Sequence, residues 1–127
     1  MNAPAGFHLL LVDDEQDFAQ TLAQRLRLRG VSVTVAFDGE SALAGLRQNQ
    51  FDLVLLDVCL PGVSGLSILR RIREDRPELP VVLLTGNADA KDVALGVGQG
   101  ALAYLTKPLE LQELLTLLTQ LRERSGT

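Results

Sequence analysis

Four runs of apolar residues along the chain end abruptly in polar groups. Leu9-Leu10-Leu11-Val12 gives way to Asp13-Asp14, Leu53-Val54-Leu55-Leu56 to Asp57, and Val81-Val82-Leu83-Leu84 to Thr85. The last, Leu102-Ala103-Tyr104-Leu105, gives way to Thr106-Lys107-Pro108. Short unbroken apolar runs bounded by turn residues fit strands buried on both faces, as in a parallel sheet covered by helices. A further segment differs: Val31, Val33 and Val35 alternate with Ser32, Thr34 and Ala36, which predicts a half-exposed edge strand.

Between the runs the apolar period lengthens to that of a helix. Phe18, Leu22 and Leu26 form one stripe of a first helix over about 15–29, with Gly30 placed to end it. Asp38 offers an N-cap for a short second helix carrying Ala42, Leu43 and Leu46. Ser64 caps a third with Leu66, Leu69 and Ile72 turned inward, closed by Pro77 and Pro80. A fourth helix over about 88–99 has a light stripe of Ala90, Val93, Ala94 and Val97. Gly96 and Gly98 each cost it about 1 kcal/mol relative to alanine, so it is expected to be the most mobile helix. Leu111, Leu114, Leu115, Leu118 and Leu121 mark a strong last helix, and Leu117 at the margin of its stripe is a candidate contact for a partner.

Strand and helix thus alternate five times, which favours a doubly wound α/β sheet with right-handed crossovers. Ligands of such sheets gather beyond the carboxyl ends of the strands. That is the edge to which Asp13, Asp14, Asp57, Thr85 and Lys107 are delivered. Residues 1–6 are expected to form a loose N-terminal arm, 7–122 one domain, and 123–127 a fraying helix end or the start of a linker.

With 127 residues the chain has the size of a single domain that buries roughly two thirds of its unfolded surface. Apolar residues at 46% and charged residues at 22% exclude wholesale disorder. A net charge of −4 without any Lys/Arg block argues against direct nucleic-acid contact. A secretory signal and an apolar run of membrane-spanning length are both lacking, and the lone Cys59 has no internal disulfide partner. A soluble cytoplasmic protein is the expectation.

Carboxylates gathered at one edge repel: two unit charges 4 Å apart do so by about 4 kcal/mol at an effective dielectric of 20. A cation must compensate. An all-oxygen donor set with open positions suits Mg²⁺, with Mn²⁺ as a substitute. Lys107 adds a positive charge and Thr85 a hydroxyl donor for an anionic oxygen. Together these groups suit a phosphoryl group in transfer, whose acceptor is either a protein residue or water. Asp57 is the candidate protein nucleophile. A haloacid dehalogenase-type phosphatase would need a second aspartate two residues on, where this chain has Cys59. A flavodoxin-like nucleotide binder would not place Asp13-Asp14 in its phosphate loop.

Val12-Asp13-Asp14-Glu15, the segment from Asp57 to Gly65, Leu84-Thr85-Gly86 and Tyr104-Leu105-Thr106-Lys107-Pro108-Leu109 together resemble the receiver domain of two-component response regulators. The likeness extends from about Leu9 to Leu121. It implies a CheY-like five-stranded parallel sheet in the order 2-1-3-4-5, with two helices on one face and three on the other. It further implies that Asp57 accepts a phosphoryl group from a partner histidine kinase or phosphotransfer protein. Asp13, Asp14, Asp57 and the backbone carbonyl of Cys59 would serve as the Mg²⁺ set, Thr85 and Lys107 would hold phosphoryl oxygens, and the Lys107–Pro108 peptide would be cis. Thr85 and Tyr104 would act as a switch remodelling the face made by the fourth helix, fifth strand and last helix. Cys59 and Asn87 would tune dephosphorylation.

An output domain or effector protein of unknown kind and a phosphorylation-dependent homodimer are further expectations. The alternative is a degenerate receiver acting as a phosphorylation-independent interaction module. A true enzyme ranks behind both, because no residue is available as general acid. His8, the only histidine, precedes the first strand and is read as a solvated residue at the wrong end to reach Asp57. Cys59 is read as a small, partly buried bystander, and the arginines of the third helix as an ordinary solvated face.

Overall fold

The computed structural model describes residues 6–60, 62, 64–86, 94 and 96–125. Five strands, β1 (His8–Val12), β2 (Ser32–Ala36), β3 (Leu53–Asp57), β4 (Val81–Thr85) and β5 (Ala103–Thr106), form one sheet in the order β2-β1-β3-β4-β5, with every pairing parallel. Numbered in chain order among the described residues, the helices are α1 (Gln16–Arg27), α2 (Gly39–Gln48), α3 (Gly65–Asp75) and α4 (Leu111–Ser125). The strand order and the doubly wound architecture are those expected, and β2 lies at an edge.

Side-chain alternation along the strands divides the interior into two cores. Leu9, Leu11, Leu53, Leu55, Val82, Leu84 and Leu105 pack with α1 and α4 on one face of the sheet. Leu10, Val12, Val54, Leu56, Val81 and Leu83 pack with α2 and α3 on the other. β3 and β4 are buried along their whole length, which is why they read as unbroken apolar runs. The alternation predicted for β2 fails at its carboxyl end. Val35 is only half-buried, and Ala36 is buried because its side chain enters the core on the α2 and α3 face, while its carbonyl accepts from Asp13 N–H at 3.0 Å.

Helix boundaries follow local chemistry. Gly30 takes a φ of 90° after α1, and the Val31 N–H turns back to the Leu26 carbonyl at 3.1 Å. Asp38 caps α2 by accepting from Ser41 N–H at 2.7 Å, and Ser64 caps α3 by accepting from Leu66 N–H at 3.1 Å.

Between β4 and β5, residues 94 and 96–98 are helical, while 88–93 and 95 of the predicted fourth helix, and Asn87, lie outside the described residues. The expected inward stripe is corrected in the part that is described. Ala94 and Val97 are exposed, and it is Gly96 that faces the sheet, where a β-carbon would strike Leu83 and come within 3.3 Å of Leu66. In α4, Leu114, Leu115, Leu118 and Leu121 are buried as expected. Leu117 packs against the same core rather than standing free for a partner. Residues 1–5 of the expected arm and 126–127 of the expected tail lie outside the described residues.

His8 is half-buried and tied down rather than free in solvent. Its ring nitrogens lie 3.1 Å from the Gln50 carbonyl and 2.9 Å from the Thr34 hydroxyl, and the ring leans on Phe51 with centroids 4.5 Å apart. It does sit at the amino end of β1, away from Asp57.

Candidate functional site

The carboxyl ends of the central strands are held in register by bonds that continue the sheet beyond its formal limits. Asp13 N–H donates to Ala36 at 3.0 Å, Val58 N–H to Leu84 at 2.9 Å and Lys107 N–H to Thr85 at 2.9 Å. The backbone therefore fixes where Asp13, Asp57, Thr85 and Lys107 project. Val12 pairs with Leu56, and Thr85 with Thr106, so the residues that follow them share one edge.

At that edge Asp13, Asp14 and Asp57 each place a carboxylate oxygen within 4.8 Å of the others, Asp13 and Asp57 buried and Asp14 exposed. One Asp57 oxygen, Oδ1, accepts from the Cys59 N–H at 2.9 Å, and the other, Oδ2, from the Lys107 ammonium at 3.3 Å. Asp13 Oδ1 accepts from Glu15 N–H at 2.9 Å. Asp13 Oδ2 forms an ion pair with Lys107 at 2.8 Å but makes no well-directed hydrogen bond, although it is fully buried. The Lys107–Pro108 peptide is cis.

Burial is the main influence on Asp57 and pushes its carboxyl above the ordinary value. The nearby Asp13 charge adds to this, while the Cys59 N–H and Lys107 oppose it. Burial by itself would lower Lys107, but its close ion pairs with Asp13 and Glu15 and the Asp57 charge outweigh that and hold the ammonium above its usual range. Lys107 is thus a permanent cation, and Asp57 a carboxylate whose charge is poorly compensated.

The donor set fits a small hard cation. Octahedral Mg²⁺ with oxygens at roughly 2.0–2.1 Å needs neighbouring donors about 3 Å apart, and these three carboxylates, with oxygens within 4.8 Å of one another, lie near enough to close on one ion. The buried Asp13 Oδ2 supplies an acceptor without a directed donor. Asp13, Asp14 and Asp57 are the residues that could hold such an ion.

Among the other residues singled out from sequence, Thr85 is buried at the end of β4. Tyr104 does not join the cluster; it is 46% exposed on β5. Cys59 is exposed rather than partly buried, and it contributes its amide to Asp57. Two neighbours of Lys107 were missed in the sequence. Glu15 Oε1 lies 2.7 Å from the ammonium, and the Phe18 ring centroid 4.7 Å from it. Glu15 directly follows the acidic pair, but its partner is 92 residues away in the chain, a separation that only the assembled sheet bridges.

The response regulator receiver domain model matches residues 9–119. The chain belongs to this family. It is a receiver domain of two-component systems, a signalling module rather than a conventional enzyme. The "Uncharacterized transcriptional regulatory protein YkoG" of Bacillus subtilis is 41% identical over 120 residues, which are 94% of this chain and 53% of that protein. The "Probable transcriptional regulatory protein TcrX" of Mycobacterium tuberculosis is 41% identical over 118 residues, 93% of this chain and 50% of that protein. A solved receiver domain protein (CheY-like) from Methanospirillum hungatei superposes with a TM-score of 0.88 at 28% identity, covering 94% of this chain and 97% of that one. The receiver domain spans about half the length of the curated relatives it matches. No helix among the described residues is long and apolar enough to cross a membrane.

Proposed function

We propose that this receiver domain accepts a phosphoryl group on Asp57 from a phosphohistidine of a partner histidine kinase or phosphotransfer protein. An Asp57 oxygen attacks phosphorus, the P–N bond to the imidazole breaks, and the imidazole leaves with the electron pair. The observation that carries this reading is the setting of Asp57: a buried strand-end carboxylate whose two oxygens are fixed by the Cys59 N–H and by Lys107, beside Asp13 and Asp14.

In this proposal the Lys107 ammonium and the Thr85 hydroxyl take up phosphoryl oxygens, positioning the group and neutralising its charge. Asp13, Asp14, Asp57 and the Cys59 carbonyl would hold Mg²⁺, or Mn²⁺ in its place, whose charge would offset the repulsion between these carboxylates and an arriving phosphoryl group. The new dianionic group biases an equilibrium between two conformations, read out through Thr85 and Tyr104. The exposed Tyr104 is then the side chain with furthest to move. A cytoplasmic location, residues 7–122 as the signalling unit and an output domain or separate effector downstream belong to the same proposal.

The alternative, a degenerate receiver that binds partners without phosphorylation, would be expected to have lost part of the site. Here Asp13, Asp14, Asp57 and Lys107 stand together and Thr85 ends the adjacent strand. The test is intact mass after incubation with acetyl phosphate, with and without Mg²⁺, on the wild type and on Asp57→Asn. A single phosphoryl adduct requiring both the metal and Asp57 is expected. Absence of any adduct from a folded wild type that is also silent to fluoroberyllate would favour the degenerate receiver.

A further inference from the structure

An ammonium has three N–H donors, and Lys107 faces three carboxylates. Its Nζ lies 2.7 Å from Glu15, 2.8 Å from Asp13 and 3.3 Å from Asp57, with the Phe18 ring at 4.7 Å closing another side. A phosphoryl oxygen arriving at Asp57 has to take one of these places. Asp13 is fully buried and Asp57 is the acceptor itself. Glu15 differs from both: its side chain is 63% exposed, so it can return to water at little cost. The groove beside the pair, about 720 Å³ and lined by Glu15, Phe18, Thr21, Lys107 and Pro108 among others, leaves room for it to swing away.

We propose that Glu15 is a displaceable counter-ion of Lys107, a positioning residue that holds the ammonium at the mouth of the site and competes with the incoming phosphoryl group for it. This rests on Asp57 being the phosphoacceptor and adds a control on how readily the site is filled. Glu15 opposes filling in two ways: it occupies an N–H that the phosphoryl oxygen needs, and it adds like charge beside an arriving dianion. A purely structural role at the start of α1 is not what the geometry shows. Glu15 occupies the N-cap position, yet its side chain makes no capping hydrogen bond. Its carboxylate is instead spent on Lys107.

The test titrates fluoroberyllate, at saturating Mg²⁺, into the wild type, Glu15→Gln and Glu15→Asp, following binding by NMR. Acetyl phosphate labelling rates are read by mass, and thermal unfolding is run in parallel. A partly exposed ion pair of this kind corresponds to roughly a two- to five-fold effect. Glu15→Gln is expected to bind fluoroberyllate more tightly, and to label faster, by that factor. Glu15→Asp keeps the charge but is one methylene shorter and loses the contact, so it is expected to fall between the wild type and Glu15→Gln. A role confined to helix stability would shift unfolding and leave anion affinity unchanged. Equal affinity in all three proteins, weaker binding by Glu15→Gln, or wild-type behaviour of Glu15→Asp would each overturn the displaceable contact. A wild type that neither binds fluoroberyllate nor forms an adduct would overturn the phosphoacceptor reading itself, and this proposal with it.

Discussion

Gly65 packs its α-carbon against the backbone of Val58: a β-carbon there would lie 2.8 Å from the Val58 Cα and 2.9 Å from its carbonyl oxygen, and would also strike the Asp57 carbonyl. The Gly65 N–H donates to that same Val58 oxygen at 3.0 Å. The start of α3 is thereby pressed onto the chain as it leaves Asp57. What an added methyl would meet is backbone, which cannot rotate aside. Gly65→Ala is expected to cost about 1–3 kcal/mol, in the range of overpacking, and to weaken Mg²⁺ binding by displacing Asp57. Urea unfolding and a Mg²⁺ titration check this, and an unchanged urea midpoint would show that the gap opens freely.

Gly96 and Gly98 look alike in the sequence but differ in the fold. A β-carbon on Gly96 would strike Leu83 and crowd Leu66, whereas one on Gly98 meets nothing within 4 Å. Gly98→Ala is therefore expected to stabilise the protein by about 0.4–1 kcal/mol through the reduced freedom of the unfolded chain. Gly96→Ala is expected to destabilise it, near the low end of roughly 1–3 kcal/mol because the Leu83 methyl can move. Thermal unfolding of the two variants should give shifts of opposite sign, and shifts of the same sign would contradict this packing.

The raised Asp57 carboxyl makes stability depend on pH. The folded protein holds the Asp57 proton to higher pH than the unfolded chain does, so stability falls as pH rises from the ordinary 3.8 through the raised value. Asparagine carries no such cost. In EDTA, the melting temperatures of wild type and Asp57→Asn should converge below about pH 4, where the unfolded carboxyl is also protonated. At neutral pH the variant should melt higher than the wild type. A wild type that melts higher at pH 7 would mean that its pairing with Lys107 outweighs the cost of burial.

Most of the sheet could be read from the chain because β3 and β4 are buried on both faces and carry nothing but apolar residues up to Asp57 and Thr85. The acidic cluster was legible for the same reason, since each strand ends where its chemistry begins. Less legible were contacts set by packing between distant segments. The Glu15–Lys107 pair has no local signature, and neither do the ties of His8 to Gln50 and Thr34. Gly96 reads in the sequence only as a weak helix former, because the absence of a side chain conceals which face is turned inward. Leu117 lies at the margin of its stripe, and the helical period alone does not say whether a margin is covered.

The division of the interior into two cores also divides the labour at the site. By strand alternation, Asp13, Asp57 and Lys107 continue the series of Leu11, Leu55 and Leu105, the side of the sheet that carries α1 and Phe18. Thr85 continues Val81 and Leu83 on the opposite side, the one against which Gly96 is pressed, and Tyr104 alternates to that side as well. The sheet is a partition one backbone thick, with the charged groups in one room and the two proposed movers in the other. β4 is the doorway, because Thr85 is the group on the far side whose own backbone carbonyl binds the Lys107 N–H.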